Sequence, residues 1–415
     1  MTVASGATGV EDAFREDSPR ILGAVARYTG DLLLAEDAVQ EAFARAVALA
    51  ATGRAPDNPA AWITTVARRI AVDTVRAEQT TRRSLPAIAA ELRRTADLPM
   101  PDSATTDPSF EFSGDERLEL ILLVCHPDVA EEARVALALR FVCGMPTSDV
   151  AAVFLVQTST MAARLTRAKR RIHDSDVRFA IEDEAEVTAR FPDALTAIYL
   201  LYTAGHATPD ARVRADALAL AADAHRVRPD DAEATGLLAL LLLTEARQSS
   251  RLSPAGDFVT LADADRAGWD GGMVAAGERL ATVALAGRGR FALQAGIAGL
   301  HTTAGSWAET DWASIARLYD RLVDVWPSPA AQLGRVVARG YSPDVGPEAA
   351  LGELERIPDA FVGTIAPQSF AVRGELSRLA DDLPAPVEAY RRARELEPSP
   401  RAQRFLEARI AELGG

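Results

Sequence analysis

The stretch GMPTSDVAAVFLVQTSTMAARLTRAKRRI, residues 144–172, decides how the rest of the chain is interpreted. Its pattern predicts a short helix over Ser148–Val153, with Val150 and Val153 buried, and a longer helix that begins near Thr158. Thr147 follows Pro146 and is expected to be the N-cap of the first helix. The longer helix should bury the apolar residues that recur at three- and four-residue spacing, Met161, Leu165 and Ala168.

A short helix, a tight turn and a longer basic helix form an arrangement that can place the second helix in the major groove of DNA. Residues near the start of that helix would face base edges: Ser159, Thr160, Ala162 and Ala163. Basic residues further along would contact phosphates: Arg164, Arg167, Lys169 and Arg170. An ordinary helical hairpin with a solvated basic face has the same local pattern, so this stretch alone leaves both interpretations open.

A second motif lies upstream, in the sequence DLLLAEDAVQEAFARAV at residues 31–47. As a helix it carries one acidic and polar side, which consists of Glu36, Asp37, Gln40 and Glu41. Its other side is apolar: Ala38, Val39, Ala42, Phe43 and Val47. An acidic stripe beside an apolar ridge suits a basic helical partner, although such stripes are more often merely solvated. A preceding apolar stripe is expected in the core: Ile21, Leu22, Val25 and Tyr28.

The sequence NPAAWITTVARRIAVDTVR, residues 58–76, predicts a further helix. Its charged residues are Arg68, Arg69, Asp73 and Arg76, and Trp62 precedes them. Cationic side chains beside an aromatic ring suit the capture of single-stranded nucleic acid. We expect Trp62 to lie in the core more than to act as a stacking platform, so the arginines are the stronger candidates.

Composition places the chain among globular proteins with two or three domains, since it has 415 residues, 48% of them hydrophobic. A net charge of −14 argues against a general nucleic-acid coat protein, but two basic stretches, 68–94 and 164–171, interrupt the acidic background. No secretory signal and no apolar run of membrane-spanning length is present, so we expect a cytoplasmic protein without a membrane anchor. Cys125 and Cys143 are expected to be buried thiols.

Two further parts of the chain differ from these motifs in their sequence pattern. Residues 95–114 contain PMPDSATTDPSFEFSG and are typical of a linker. From about residue 181 the pattern is helical, and three junctions end one helix at a proline and start another, near Pro229, Pro327 and Pro398. Their spacing is close to multiples of the roughly 34-residue tetratricopeptide period. An irregular helical domain with proline at helix starts is the alternative.

Taken in order, the motifs at 31–47 and 58–76 resemble region 2, and that at 144–172 resembles region 4, of extracytoplasmic-function sigma factors of bacterial RNA polymerase. The segment at 120–144 and the tail segments at 261–280 and 310–329 resemble the subgroup with a tetratricopeptide-like C-terminal extension. This resemblance implies an all-α protein with region 2 at 1–94, a linker at 95–114, region 4 at 115–180 and the extension at 181–415. Three residues depart from the family pattern: Arg69 replaces Asn, Leu155 replaces a turn Gly, and Gln157 replaces Ser or Pro.

The resemblance also implies a function. Region 2 would bind core polymerase at the β′ clamp through the acidic stripe and open the −10 element with Trp62 and the charged residues after it. Region 4 would contact the β flap and read the −35 element, and the extension would regulate activity, through an intramolecular contact with the sigma domains as one possibility. The resemblance implies neither a catalysed reaction nor a cofactor. A stand-alone helix-turn-helix regulator and a sigma module fused to a ligand-binding or enzymatic domain are the alternatives.

Two groups of residues partly resemble metal-binding or catalytic sites, but the residues around them do not support these roles. Asp263, Asp265, Gly268 and Asp270 partly match a calcium loop, but Ala267 and Val274 stand where oxygen ligands are required. Turn and cap roles are therefore expected for these aspartates. Cys125 and His126 are adjacent on a predicted helix and point in different directions, so neither catalysis nor metal binding is expected there.

Overall fold

The protein is built from α-helices, which confirms the predicted all-α class. The computed structural model describes residues 9–10, 17–84, 116–174, 181, 183–207, 210–381 and 385–414. The predicted linker, residues 95–114, lies outside this part of the chain. Within the described residues, no helix is long and apolar enough to cross a membrane.

The chain divides into two compact units, Met1–Asp223 and Ala224–Gly415. The first unit contains helices α1 to α8 and all of α9 except its last turn, which belongs to the second unit. In chain order these are α1 Ser18–Thr29, α2 Leu32–Ala51, α3 Pro59–Ser84, α4 Glu116–Val124, α5 Glu131–Leu137, the π-helical turn Ala138–Val142, α6 Thr147–Val153, α7 Thr158–Asp174, α8 Glu184–Ala207 and α9 Ala211–Val227.

Local sequence signals explain where several of these helices begin and end. Gly30 ends α1 with a φ of 69°, a conformation that glycine adopts without steric cost. Asp31 then caps α2 by accepting hydrogen bonds from the backbone N–H groups of Leu33 at 2.8 Å and Leu34 at 3.2 Å. The N-cap prediction for Thr147 is wrong, because Pro146 occupies the cap position and α6 begins at Thr147 itself.

The apolar faces of α1 and α2 form the core of the first three helices, with two corrections to the predicted stripes. Tyr28 is 57% exposed because it lies in the last turn of α1, where the guanidinium of Arg68 covers one face of its ring at 5.4 Å. Val47 is 56% exposed and lines a cleft of about 1220 Å³ in the first unit. The other predicted core positions of these stripes are buried: Ile21, Leu22, Val25, Ala38, Val39, Ala42 and Phe43.

The second unit continues with nine helices in the described part of the chain. They are α10 Ala232–Glu245, α11 Gly271–Ala284, α12 Arg290–Thr303, α13 Trp312–Val325, α14 Pro329–Tyr341, α15 Pro347–Leu354, α16 Ala366–Leu379, α17 Ala385–Leu396 and α18 Pro400–Glu412. Helices that follow each other along the chain pack together, and α10 also packs against α12. Packing between sequence neighbours is the arrangement expected of stacked helical repeats.

The three proline junctions predicted from sequence are helix starts. Asp231 caps α10 and accepts hydrogen bonds from the N–H groups of Glu233 and Ala234, both at 2.9 Å. Ser328 and Ser399 cap α14 and α18, each directly before a proline in the first helical turn. Because proline has no N–H to lose at the first helical position, a Ser-Pro pair is a strong start signal.

The aspartates of the apparent calcium loop have the turn and cap roles expected of them. Asp265 accepts a hydrogen bond from the N–H of Ala267 at 3.0 Å, and Asp270 caps α11 through the N–H of Met273 at 2.9 Å. Asp263 accepts from the hydroxyl of Thr260. Their oxygens are thus already used by the local backbone and side chains.

Candidate polymerase and DNA interfaces

The acidic stripe lies on α2, on the side opposite the buried residues of that helix. Asp37, Gln40 and Glu41 are exposed, while Glu36 is half-buried. Glu41 accepts a hydrogen bond from Arg45 at 2.9 Å within the same helix. Three of the four predicted polymerase contacts are therefore open to a partner, and the fourth has an internal contact described below.

The charged residues of α3 share one exposed side of that helix. Arg68, Arg69, Asp73 and Arg76 are exposed, whereas Ile63, Ala67 and Ala71 are buried on the opposite side. Trp62 is half-buried, so its ring is neither a full core residue nor an open platform. The α3 face is basic on balance and suits a nucleic-acid backbone.

Helices α6 and α7 form a helix-turn-helix. Val150, Met161, Leu165 and Ala168 are buried beneath it, which confirms the predicted apolar side of α7, while Val153 is half-buried. The residues predicted to face bases are all exposed near the start of α7: Ser159, Thr160, Ala162 and Ala163. This combination leaves a small-residue, polar surface at the end of the helix that would enter a groove.

The turn between α6 and α7 has the left-handed residue that a glycine would normally supply. Leu155 has a φ of 54°, and its side chain is 66% exposed. The leucine that stands where the family pattern has glycine therefore keeps the turn in the left-handed form and adds strain of about 1 kcal/mol. The carbonyl of Gln157 accepts from the N–H of Met161 at 3.0 Å and closes the first turn of α7.

Two of the four predicted phosphate contacts on α7 have partners within the protein. Arg164 is half-buried, pairs with Glu132 of α5 at 3.0 Å and lies 6.0 Å from the ring of Phe154. Lys169 is also half-buried and donates a hydrogen bond to Glu36 of α2 at 2.7 Å. The other two, Arg167 and Arg170, are exposed.

Helix α8, the first of the predicted extension, packs against α4, α5 and α6 within the first unit. Asp193 of α8 accepts a hydrogen bond from Arg134 of α5 at 2.8 Å, and Arg117 of α4 pairs with Asp216 of α9 at 3.2 Å. An intramolecular contact between the predicted extension and the predicted sigma domains is thus present. The boundary placed at residue 180 stays a prediction.

Cys125 lies beneath α8 and is fully buried, as predicted, whereas Cys143 is only half-buried, contrary to the prediction. Burial raises the pKa of the Cys125 thiol far above its ordinary value, and the nearby carboxylate of Asp193 raises it further. A thiol held in its protonated form is a poor nucleophile and a poor metal ligand. Its environment therefore supports the structural role expected from sequence.

Sequence reasoning missed three residues that bear on these surfaces. The apolar spacing predicts Tyr28 in the core, and only its place in the last turn of α1 indicates that it is exposed. Glu132 and Asp193 carry no local signal, because their partners Arg164 and Arg134 lie 32 and 59 residues away along the chain. Only the tertiary structure brings these charges together.

Comparison with known proteins places this chain in a family. The model of Sigma-70 region 2 matches residues 13–81, which include α1, α2 and most of α3. The "Probable ECF RNA polymerase sigma factor SigI" of Mycobacterium tuberculosis (strain H37Rv) is 28% identical over 42% of this chain and 57% of its own length. The "ECF RNA polymerase sigma factor SigK" of Mycobacterium ulcerans (strain Agy99) is 29% identical over 40% of this chain and 88% of its own.

The similarity also extends into the C-terminal half. The "Uncharacterized protein R00370" of Rhizobium meliloti (strain 1021) is 35% identical over 83% of this chain and 82% of its own length. A family of unknown function (DUF6596) matches residues 190–285. The chain belongs to the extracytoplasmic-function sigma factors with a C-terminal extension. No solved structure matches it.

In this sigma factor the DUF6596 match crosses the division between the two compact units. It begins in α8, which packs on α4 and α5, and it ends after α11 in the second unit. The segment that matches DUF6596 therefore contributes helices to both units of the protein.

Proposed function

We propose that this sigma factor directs promoter-specific initiation through three surfaces. The exposed part of the acidic stripe on α2 binds the β′ clamp of core RNA polymerase. The arginine-bearing side of α3 engages the opened −10 element, and α7 reads the −35 element while the surrounding helices contact the β flap. The extension regulates these activities, and the protein acts in the cytoplasm.

The observation that carries this proposal is the helix-turn-helix of α6 and α7. Its apolar side is buried and its small polar residues are exposed at the start of α7, as groove entry requires. Single helix-turn-helix modules also occur in simple regulators. The family membership, together with an acidic helix that such a regulator does not need, favours the polymerase subunit.

Reconstituted transcription tests the proposal directly. Core polymerase of the host bacterium is mixed with the purified full-length chain and fragmented genomic DNA, and the 5′ ends of the transcripts are sequenced. A sigma factor produces discrete start sites that share two upstream elements. A stand-alone regulator yields no start sites beyond those of core polymerase alone, and that result would reject the proposal.

A charge reversal tests the α2 surface. Asp37→Lys with Glu41→Lys should abolish co-elution with core polymerase, because a basic partner is then repelled. The matched control is Glu388→Lys with Glu395→Lys, two exposed acidic residues on α17 that change the net charge equally. If the α2 variant still co-elutes with polymerase, the clamp assignment is wrong.

A further inference from the structure

The connection between the first two helices of the second unit is unusually long. Helix α10 ends at Glu245 and α11 begins at Gly271, so residues 246–270 separate them. Successive helices in bundles are usually joined by about 2–8 residues, and much longer connections in compact domains generally have a role of their own. The structure of this connection indicates such a role.

Residues 251–259, in the middle of the connection, fold into a short β-hairpin. Leu252 and Phe258 form an antiparallel bridge, and the N–H of Ser253 donates a hydrogen bond to the carbonyl of Asp257 at 2.9 Å. This segment, called the hairpin below, therefore has a defined shape and presents Asp257 and Phe258 side by side.

The residues that flank the hairpin fasten it to the helices around it. Arg266 donates hydrogen bonds to the carbonyls of His301 at 2.8 Å and Ala304 at 2.6 Å, where its positive charge suits the end of α12. The indole N–H of Trp269 donates to the hydroxyl of Ser250 at 2.8 Å. The base of the hairpin is thus held in place, and the tip projects from it.

The tip of the hairpin contacts α18, the last helix in the described part of the chain. The Nε of Arg404 donates a hydrogen bond to the carboxylate of Asp257 at 2.7 Å. The guanidinium of Arg401 lies 5.6 Å from the centre of the Phe258 ring, and that of Arg251 lies 5.6 Å from the same centre. An ion pair and a cation–π contact therefore join the hairpin to α18.

This contact differs from the packing of the other helices in the second unit. In a stacked helical array each repeat contacts only its neighbours along the chain. Asp257 and Arg404 are 147 residues apart, and they belong to the α10–α11 connection and to α18. The hairpin consequently links the beginning of the second unit to its end.

The link is weak enough to open without unfolding a helix. The side chains of Asp257 and Arg404 are 44% and 51% exposed, and an ion pair this exposed contributes little because water and salt screen it. The fixed base keeps the tip within reach of α18, so the contact can also form again.

We propose that the hairpin is a clasp that holds the extension in a closed form. In the closed form Asp257 and Phe258 lie on Arg404 and Arg401, and α18 is held to the α10–α11 connection. In the open form these contacts are broken, and α18 is held only by the helices next to it in sequence. The clasp thus sets how far the helices of the second unit can move apart.

The closed form can be trapped chemically in a full-length Arg404→Lys chain. The natural chain has a single lysine, Lys169, so the amine introduced at position 404 gives a product that is readily assigned. A water-soluble carbodiimide activates the carboxyl group of Asp257, and the amine attacks the activated carbon to form an amide while a urea leaves. Mass spectrometry should detect a peptide pair that joins position 257 to position 404.

Two further variants control the crosslinking. Adding Asp257→Asn should remove the peptide pair, because the carbodiimide does not activate an amide. Arg394→Lys is the matched reactivity control, since Arg394 forms an exposed pair with Glu407 between the adjacent helices α17 and α18. If the control crosslink forms and the one between positions 257 and 404 does not, the closed form does not exist.

Hydrogen exchange of the α18 amides tests whether the clasp opens. Amide exchange reports local opening, so the crosslinked Arg404→Lys chain should exchange more slowly in α18 than the same chain without the crosslink. Asp257→Arg should speed this exchange about threefold, because Arg404 then repels the hairpin. Combining Asp257→Arg with Arg404→Asp should restore the original rate.

The control for charge reversal is Arg373→Glu. Arg373 pairs with Glu355 at 3.0 Å at similar exposure and lies 5.6 Å from the centre of the Phe361 ring, so it matches the clasp in both kinds of contact. Its reversal should leave exchange in α18 unchanged.

Three results would overturn the clasp. They are equal exchange in crosslinked and uncrosslinked chains, an unchanged rate in Asp257→Arg, and a charge swap that fails to restore the rate. Circular dichroism shows whether Asp257→Arg keeps its helix content. If that variant is poorly folded, the comparison of crosslinked and uncrosslinked Arg404→Lys chains decides the question without it.

Discussion

Arg134 of α5 donates hydrogen bonds to Asp193 of α8 at 2.8 Å, to the carbonyl of Val129 at 2.6 Å and to the carbonyl of Pro127 at 2.7 Å. The guanidinium thus ties α8 to the helix that precedes the helix-turn-helix. The first helix of the predicted extension is consequently part of the structure that supports the helix-turn-helix.

Asp193→Ala should lower the free energy of unfolding by about 2 kcal/mol, since a largely buried charged hydrogen bond loses its acceptor. Urea unfolding followed by circular dichroism measures the change. Arg45→Ala removes an exposed ion pair of α2 and should alter stability by less than about 0.5 kcal/mol. Equal effects of the two substitutions would contradict the role given to Asp193.

Truncations at two positions should behave differently. A chain that ends at residue 180 lacks α8 and uncovers the apolar side chains of α4 and α5, so it should bind a hydrophobic dye and unfold at lower urea concentration. A chain that ends at residue 230 keeps α8 and α9 and should retain the cooperative unfolding of the first unit. If both truncated chains are equally stable, α8 does not support the predicted region 4.

Leu155→Gly should stabilise the protein by about 1 kcal/mol, because glycine adopts the left-handed turn conformation without steric cost and the leucine side chain buries little surface. Thermal unfolding measures the gain. Leu155→Ala keeps the Cβ atom and is the matched control, since it should give no comparable gain. A destabilised glycine variant would show that the exposed leucine packs more than its accessibility indicates.

The second unit should lose stability as the pH falls below about 6.5, because burial lowers the pKa of His301 to about 4, helped by Arg247 and Arg266. Between those pH values the unfolded chain binds a proton that the folded chain does not, so protonation favours unfolding. The expected loss from pH 7 to pH 5 is about 2 kcal/mol.

His301→Phe isolates this contribution to the pH dependence. Phenylalanine preserves a ring beside Trp307 and Trp312, which lie 6.2 Å and 5.3 Å from the histidine ring. Urea unfolding at pH 5 and pH 7 should therefore show a smaller pH effect in the variant. The same pH dependence in both proteins would mean that carboxylates cause it.

Arg167→Ala should weaken −35 duplex binding and reduce the salt slope by about 1, since each lost phosphate contact releases one fewer counterion. Fluorescence anisotropy at several salt concentrations measures both quantities. Arg45→Ala, on α2, should leave the slope unchanged. A full salt slope in Arg167→Ala would remove that residue from the DNA surface.

Much of the helical framework could be predicted because its causes are local. The spacing of Met161, Leu165 and Ala168 predicts which side of α7 is buried, and Ser-Pro pairs mark where α14 and α18 begin. The same spacing wrongly predicts that Tyr28 and Val47 are buried. Periodicity indicates which side of a helix is apolar but does not show where the neighbouring helix ends and leaves that side uncovered.

The sequence by itself determined the helices, the helix-turn-helix and the candidate surfaces, because periodicity, caps and turn residues act over a few neighbours. Only the tertiary structure decided which charges meet. Glu36 and Lys169 are 133 residues apart, and Arg134 and Asp193 are 59 apart. Such pairs depend on how helices pack across a shared core, as where Leu120 of α4 packs directly against Gly23 of α1. No local sequence pattern specifies how closely two distant helices approach each other.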